Sequence, residues 1–270
     1  MALKVKDYAK FIESKAPIIY KEKYDNVGLM IGNEKDKIKG ILYSMDTTLE
    51  VIKEAKEKGA NLIVSHHPLL FKKPSSITNE SIQGQKIINL IKSGISVYAA
   101  HTNLDSVKDG MNDTIVEMFG FKDFDILDQC EFDYDSGIGR IVSLGRGMTL
   151  KDFIEKTSNV LETKNIRYTG NLDKKIRRIA IINGSGESYF DLAIKEGADC
   201  ILTGDTTYHG VQELEEMGIA VVDPGHFNSE KLVYYKIMKE YSKEFLENKD
   251  IPVYFSEKEK DPFKFFYESF

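Results

Sequence analysis

Slid along itself by 138 positions, this chain meets its own punctuation again. The segment KIKGILYSMDTTLEVIKEAKEKGANLIVS (37–65) falls without a gap on KIRRIAIINGSGESYFDLAIKEGADCILT (175–203). Lys37, Ile38, Ile41, Ala55, Gly59, Ala60 and Ile63 meet identical residues. Each copy reads as a short apolar run, an amphipathic helix closed by glycine, and a second apolar run, which is a strand–helix–strand unit. Farther on, SGISVYAAHTNLD resembles MGIAVVDPGHFNSE with a small register change. Such units share composition, but the ungapped length favours a true duplication. The chain is therefore expected to form an α/β fold of two similar, duplicated lobes with mostly parallel sheets. Residues 1–125 would form the first lobe and 126–270 the second, with terminal segments packing back on the first.

The rest of the chain fits this frame. Amphipathic spacing predicts helices at about 5–15, 81–93 and 108–119, one from about 187, and a long final helix over 229–247. The helix after KGILYSM opens with Thr47 and Glu50 in capping-box spacing and closes at Gly59. GIGRIVSLGRG, TLKDFIEKTSNVLE and IRYTGN read as strand, helix and strand, and IPVYFS as a last strand. The aromatic end DPFKFFYESF is expected to tuck against the body or to meet another subunit.

Within this frame the histidines are not scattered. Of five in the chain, His66 and His67 follow the apolar run NLIV, His101 follows ISVYAA, and His226 follows IAVVDPG. In open α/β sheets, ligands bind beyond the carboxyl ends of the strands, and parallel strands bring those ends to one rim. Pro68 holds His67 out of helical conformation, so the chain turns where two imidazoles stand side by side. Asp105 follows His101 by four residues, and Glu230 follows His226 by four, one helical turn if the last helix starts early. Imidazole with carboxylate and no thiolate is the donor set of hydrolytic zinc, manganese or iron sites. His66, His67, His101, Asp105, His226 and Glu230 are then six candidates for a metal cleft between the lobes at the strand ends. That number suits a pair of divalent ions with a bridging carboxylate. Any one of these histidines alone is more often a hydrogen-bonded structural residue. The set is what argues for metal.

Composition excludes other classes. A net charge of −6 argues against a nucleic-acid coat. Two cysteines, Cys130 and Cys200, provide neither a disulfide framework nor a thiolate zinc site. The charged N-terminus lacks an apolar leader core, and no segment has the apolar length of a membrane span, so the expected address is the cytoplasm.

YDNVGLMIG, SHHPLLF, HTNLDSVKDGMND, GIGRIVSL, NGSGESYF, ADCILTGDTTYHG and GHFNSE occur here in order. Together they resemble the Nif-three-like family of dinuclear-metal-centre hexameric proteins, whose members are often named GTP cyclohydrolase 1 type 2 homologs. The resemblance runs from about residue 5 to 265. It implies two α/β lobes per subunit, a toroidal homohexamer, and a dinuclear metal centre facing the ring interior. It also implies that His66 and Asp105 hold one metal, that His67 and His226 hold the other, and that Glu230 bridges both. His101 then stands beside the ligands or acts as a catalytic group. Tyr24 departs from the family, which more often has Trp before DNVGL, and the 126–174 segment leaves no room for the inserted domain of some relatives. The implied function is a dinuclear metal-dependent hydrolase with two divalent ions (Zn, Fe or Mn) per subunit, acting on a small-molecule substrate such as GTP, another nucleotide or a phosphoester. The alternative is a ring-shaped metal-binding regulatory or interaction protein without turnover.

By the repeat, Gly204 and Asp205 take the places of His66 and His67, which makes Asp205 and His209 candidates for the substrate side. NGSGES reads as a tight turn, since the phosphate-loop pattern is incomplete. Asp25 and Asn26 either frame the cleft or cap a turn, and Arg140 reads as a phosphate contact or a subunit contact.

Overall fold

The computed structural model describes residues 2–266. In chain order the elements are α1 (Val5–Lys15), β1 (Gly28–Ile31), β2 (Ile41–Ser44), α2 (Leu49–Glu57), β3 (Leu62–Ser65), α3 (Ile82–Ser93), β4 (Ser96–Ala99) and α4 (Thr102–Ser106). Then come α5 (Met111–Met118), β5 (Phe124–Cys130), β6 (Asp133–Thr149), α6 (Leu150–Val160), β7 (Arg167–Tyr168), β8 (Lys175–Ser185), α7 (Phe190–Lys195), β9 (Cys200–Gly204), α8 (Tyr208–Glu216), β10 (Ala220–Asp223), α9 (His226–Phe245) and β11 (Val253–Phe255). The chain divides into two compact units, as the repeat demands, but not by a single cut after residue 125. The first unit is the chain up to Val107 with Tyr234–Lys260, and the second is Lys108–Val233 with the chain from Asp261 on. The boundary falls inside α9, so the helix from Tyr234 on and the last strand return to the first unit.

The first unit holds a five-stranded sheet in the order β1-β4-β3-β2-β11, parallel except for β1. The strands β2, β3 and β4 are buried at every residue, as apolar runs without alternation require of a sheet covered on both faces. On one face, Val51, Ile52 and Ala55 of α2 and Leu90 of α3 pack on Leu42, Ile63 and Val97. Each large aliphatic chain buried there contributes about 1.5–3 kcal/mol. Elsewhere in this unit Tyr8, Tyr43 and Tyr98 are buried with Tyr234 of α9. The hydroxyls of Tyr8, Tyr43 and Tyr234 are tied in: Tyr8 Oη to Tyr43 Oη at 3.0 Å, Ser242 Oγ to Tyr43 Oη at 2.8 Å, and Tyr234 Oη to the Val64 carbonyl at 3.0 Å. The N-cap of α2 is Thr48, which accepts from the Val51 amide, one residue later than the Thr47–Glu50 pattern suggested.

The return of the chain is held by Glu54, a nearly fully buried acid on α2. It accepts from Ser256 Oγ at 2.6 Å and the Glu257 amide at 3.0 Å, and it pairs with Lys58 at 3.2 Å. Burial pushes its pKa up, but the Ser256, Glu257 and Lys58 contacts outweigh burial and the carboxyl sits below its usual range. A depressed folded pKa stabilises above the unfolded value, about 4.3, and that stability is lost as pH falls through the folded value. Glu54→Gln should therefore cost about 1–3 kcal/mol at neutral pH, since hydrogen bonds to a charged group are lost. The gap should close in acid. Urea midpoints of both proteins at pH 7 and below pH 4 check this, and a gap independent of pH would contradict it.

The second unit holds a six-stranded sheet in the order β5-β6-β8-β9-β10-β7. Its core, β8-β9-β10, is parallel and matches β2-β3-β4 in order, with β2 falling on β8 and β3 on β9 in the repeat. The duplication is thus visible in topology. The remaining pairings, β5 with β6, β6 with β8 and β7 with β10, are antiparallel, so this sheet is mixed. Ile138, Ala180, Ile182, Phe190, Ile201 and Val221 are among the residues of its core. Arg140 on β6 is fully buried and pairs with Asp113 Oδ1 at 2.5 Å, so within this fold it is an internal ion-pair residue and neither a phosphate contact nor a subunit contact. Phe263 and Phe266 of the aromatic end are 72% and 85% exposed, so neither ring tucks against the body. The rest of that end, 267–270, lies outside the described residues. Among the described residues no helix is long and apolar enough to cross a membrane.

Candidate metal centre

In the first unit, three adjacent parallel strands end on one rim, and each exit loop carries a polar residue of the expected kind. Asp46 follows β2, His66 and His67 follow β3, and His101 with Asp105 follows β4. Hydrogen bonding between neighbouring strands continues past their ends: His66 N donates to the Ser44 carbonyl at 3.1 Å, and His67 N to the Met45 carbonyl at 2.8 Å. The chain then bends, with Ser65 Oγ bonded to the His67 carbonyl at 2.8 Å. Both rings of the pair thereby come together, their centroids 5.2 Å apart, and His101 joins at 5.2 Å from His66 and 5.6 Å from His67. One ligand atom from each of the three imidazoles lies within 4.8 Å of the others. Asp105 sits on α4, a short helix whose N-cap is His101, and this places its carboxylate back toward His66.

Hydrogen bonds fix which nitrogen faces the cluster. His66 Nδ1 meets the Ala100 carbonyl at 2.9 Å, an acceptor only, so Nδ1 carries the proton. Its Nε2 lone pair then faces Asp105 Oδ1 at 3.6 Å. Two acceptors facing one another call for a cation between them. The separation is too long for a hydrogen bond, yet donors about 2.1 Å from one tetrahedral ion stand about 3.4 Å apart. His67 Nδ1 is held by Asp46 Oδ1 at 3.1 Å, which likewise makes Nε2 the nitrogen suited to a cation. His101 Nδ1 lies 2.9 Å from Asp25 Oδ2, close but not aligned as a hydrogen bond. Asp25 is buried and also accepts from Thr102 Oγ1 at 2.5 Å and the Asn26 amide at 2.7 Å. Burial raises its pKa, and the His101, Thr102 and Asn26 contacts overcome this and hold the carboxyl well below the usual range. Asp25 is thus a fixed negative charge behind His101.

In the second unit the carboxyl-end rim of its own sheet, at β8, β9 and β10, carries the second set. The last helix begins at His226, earlier than residue 229, and so His226 and Glu230 share one face a turn apart. Their Nε2 and Oε2 atoms are 3.0 Å apart. His226 Nδ1 is bonded to Asp205 Oδ2 at 2.8 Å. An imidazole between two carboxylates has one N–H when neutral, so a cation again suits the Nε2–Glu230 side. Two glycines make room. A Cβ on Gly204 would stand 2.6 Å from His226 N, so glycine lets β9 approach the start of α9. A Cβ on Gly184, where φ is +58°, would stand 2.1 Å from Glu230 Oε1 and 3.3 Å from His226 Nε2. Gly184→Ala should therefore displace the Glu230 carboxylate while the flexible side chain absorbs the clash. We expect a stability cost of about 1–2 kcal/mol from the left-handed backbone, with a loss of metal affinity of about tenfold or more. Thermal melts beside metal titrations check it, and unchanged affinity would contradict it.

The chemistry of both donor sets fits divalent metal. His66, His67, His101 and Asp105 come together in the first unit, and His226, Glu230 and Asp205 in the second. Asp205 serves as the partner of His226. His209 stands apart on the exposed first turn of α8, with its ring 5.2 Å from that of Tyr208. The sequence reading missed Asp46, although the strand-end rule that singled out the histidines applies equally to the end of β2. It left the role of Asp25 open, and the structure places that residue behind His101.

These features have known counterparts. A family model described as Duf34/NIF3 (NGG1p interacting factor 3) matches residues 3–262. A Clostridium perfringens protein named GTP cyclohydrolase 1 type 2 homolog is 51% identical over 263 residues, covering 97% of this chain and 100% of the relative. A Methanocaldococcus jannaschii protein of the same name is 34% identical over 230 residues, covering 84% and 90%. Among solved structures, a hypothetical protein from Staphylococcus aureus has a TM-score of 0.88 at 30% identity, covering 98% of this chain and 100% of that one. Reduced HcgD from Methanocaldococcus jannaschii has a TM-score of 0.80 at 31% identity, covering 94% and 98%. With a family model spanning nearly its whole length and a relative half identical throughout, this chain belongs to the Duf34/NIF3 family.

Proposed function

We propose that the protein is a dinuclear metal-dependent hydrolase acting on a nucleotide or another phosphoester, with GTP ring opening as one candidate reaction. His66 and Asp105 would hold one divalent ion, His67 and His226 the other, and Glu230 would bridge the two. Zinc, iron and manganese all accept this donor set. The observation that carries the reading is the His66–Asp105 pair, whose facing acceptors stand 3.6 Å apart. Bound divalent ions supply Lewis-acid activation of water and of the bond under attack. The chain's own residues do the rest. Ala100, Asp46 and Asp205 hold the Nδ1 protons of His66, His67 and His226, which fixes each ring and raises the basicity of Nε2. His101, with Asp25 behind Nδ1, would take or deliver a proton at Nε2. The toroidal homohexamer and the cytoplasmic address belong to the same proposal.

The test is metal analysis of freshly purified protein, followed by loading with Zn²⁺, Mn²⁺ or Fe²⁺ and a screen of nucleotides and phosphoesters. About two ions per chain with turnover is expected. A protein that neither carries nor binds divalent metal would sink the reading. Tight metal retention without turnover on any substrate would leave the alternative, a ring-shaped metal-binding regulatory protein.

A further inference from the structure

Beside the imidazoles of the first unit stand two aromatic rings that core packing does not explain. Tyr24 is 65% exposed and Phe71 is 45% exposed. Their centroids are 6.2 Å apart at 62°, and Phe71 stands 6.5 Å from the His101 ring at 81°. Tyr24, Phe71 and His101 thus form a file that runs from solvent to the imidazole cluster. Single exposed aromatics are ordinary, so exposure alone argues nothing. The anchoring does. Asn26 Nδ2 donates to the Leu70 carbonyl at 2.7 Å, and the Leu70 amide meets Met30 Sδ at 3.4 Å, so the residue before Phe71 is pinned on both sides. Asp25, directly after Tyr24, is held through its carboxylate by Thr102 and through its carbonyl by Lys21 Nζ at 2.7 Å. Polar bonds to neighbouring residues, and not apolar burial, keep the two rings presented. In YDN, Tyr24 shows a ring, Asp25 backs His101, and Asn26 ties the loop to the one that carries Phe71.

We propose that Tyr24 and Phe71 form the seat for a planar heteroaromatic group of the substrate, which stacks there while the rest of the molecule reaches the imidazoles. This rests on the hydrolase reading above and adds the residues that select the substrate. A π-face recognises a ring by stacking, whatever its hydrogen-bonding edge, so the seat selects for a flat base and against a bare sugar phosphate.

The test uses the metal-loaded full chain and two probes, GMP and ribose 5-phosphate, titrated by calorimetry. Wild type should bind GMP about tenfold or more tightly than ribose 5-phosphate. Tyr24→Leu with Phe71→Leu should erase that advantage, leaving ribose 5-phosphate affinity, metal content and sedimentation unchanged. Tyr24→Trp and Phe71→Tyr, which keep the π-faces, should retain it. Equal binding of the two probes by wild type, or an advantage that survives in the leucine double variant, would overturn the proposal while the metal reading stands. A changed sedimentation of the double variant would also overturn it, because the rings would then cover another copy of the chain. If instead the protein binds no metal, the hydrolase reading fails by itself. The seat is then judged with guanosine on the metal-free chain, where binding that the leucine variant loses supports it and no binding overturns it.

Discussion

On the hydrolase reading, His101→Gln and Glu230→Ala should both abolish most hydrolysis, and they should do so in different ways. Glu230 is buried, its Oε2 is 3.0 Å from His226 Nε2, and Gly184 leaves space for its other oxygen. If it bridges two ions, removing it unlinks them and leaves too few anionic donors for both. Metal affinity should fall on the order of 100-fold or more, since losing even the outer partner of a ligand costs 10–100-fold. Metal content should drop below two per chain with the fold intact, and His67→Ala should behave alike. His101 is different, because its expected work is proton transfer beside the ligands. His101→Gln should keep both ions and lose rate by about 10²–10⁴. Elemental analysis beside steady-state kinetics separates the two. A His101→Gln protein that loses its metals would make His101 a ligand, and a Glu230→Ala protein that keeps both ions would end the bridging assignment.

The gathering of histidines at the strand ends was legible because its signal is topological and not local. NLIV, ISVYAA and IAVV are too short and too uniformly apolar for anything but covered parallel strands, and within each unit whatever follows such strands shares a rim. His66, His67, His101 and His226 follow directly. Asp46 obeys the same rule but was hidden by chemistry. One acid after a strand carries no signal in a chain with 43 of them, whereas one of five histidines does. The turn at α4 was missed because five residues are shorter than the window in which helical periodicity shows. The return of Tyr234–Lys260 to the first unit was foreseen only as a general packing-back of the termini. It rests on Glu54 meeting Ser256 and Glu257 some two hundred positions away, a pairing that no pattern reveals. The mixed second sheet was concealed in a similar way. GIGRIVSLGRG reads as one strand, but nothing in it announces that β6 pairs antiparallel on both sides, with β5 and with β8.

Arg140 was misread for a related reason, and its burial yields the largest stability prediction. An arginine after two glycines looks like an anion contact, since Arg is seldom fully buried unless paired. Here the partner is Asp113 of α5, 27 positions earlier. Arg140 Nε donates to Asp113 Oδ1 at 2.5 Å, and Nη1 donates to the Gly137 and Gly139 carbonyls, each at 2.8 Å. Asp113 Oδ2 in turn accepts from the Asp109 amide at 2.6 Å, so one carboxylate ties the start of α5 to the sheet. Its removal leaves a guanidinium with no counter-charge in a site that admits no water to the arginine, which is 0% exposed. Asp113→Ala should therefore destabilise the second unit by about 3–5 kcal/mol, the usual cost of breaking one side of a buried pair. Removing both charges should cost much less, because two apolar side chains of similar volume avoid the desolvation that the ion pair had to overcome. Asp113→Leu with Arg140→Met should thus be more stable than Asp113→Ala alone, and the double-mutant cycle should show strong coupling. Denaturant unfolding of the four proteins decides it. An Asp113→Ala variant within about 1 kcal/mol of wild type, a range typical of an exposed pair, would mean that water reaches Arg140 after all.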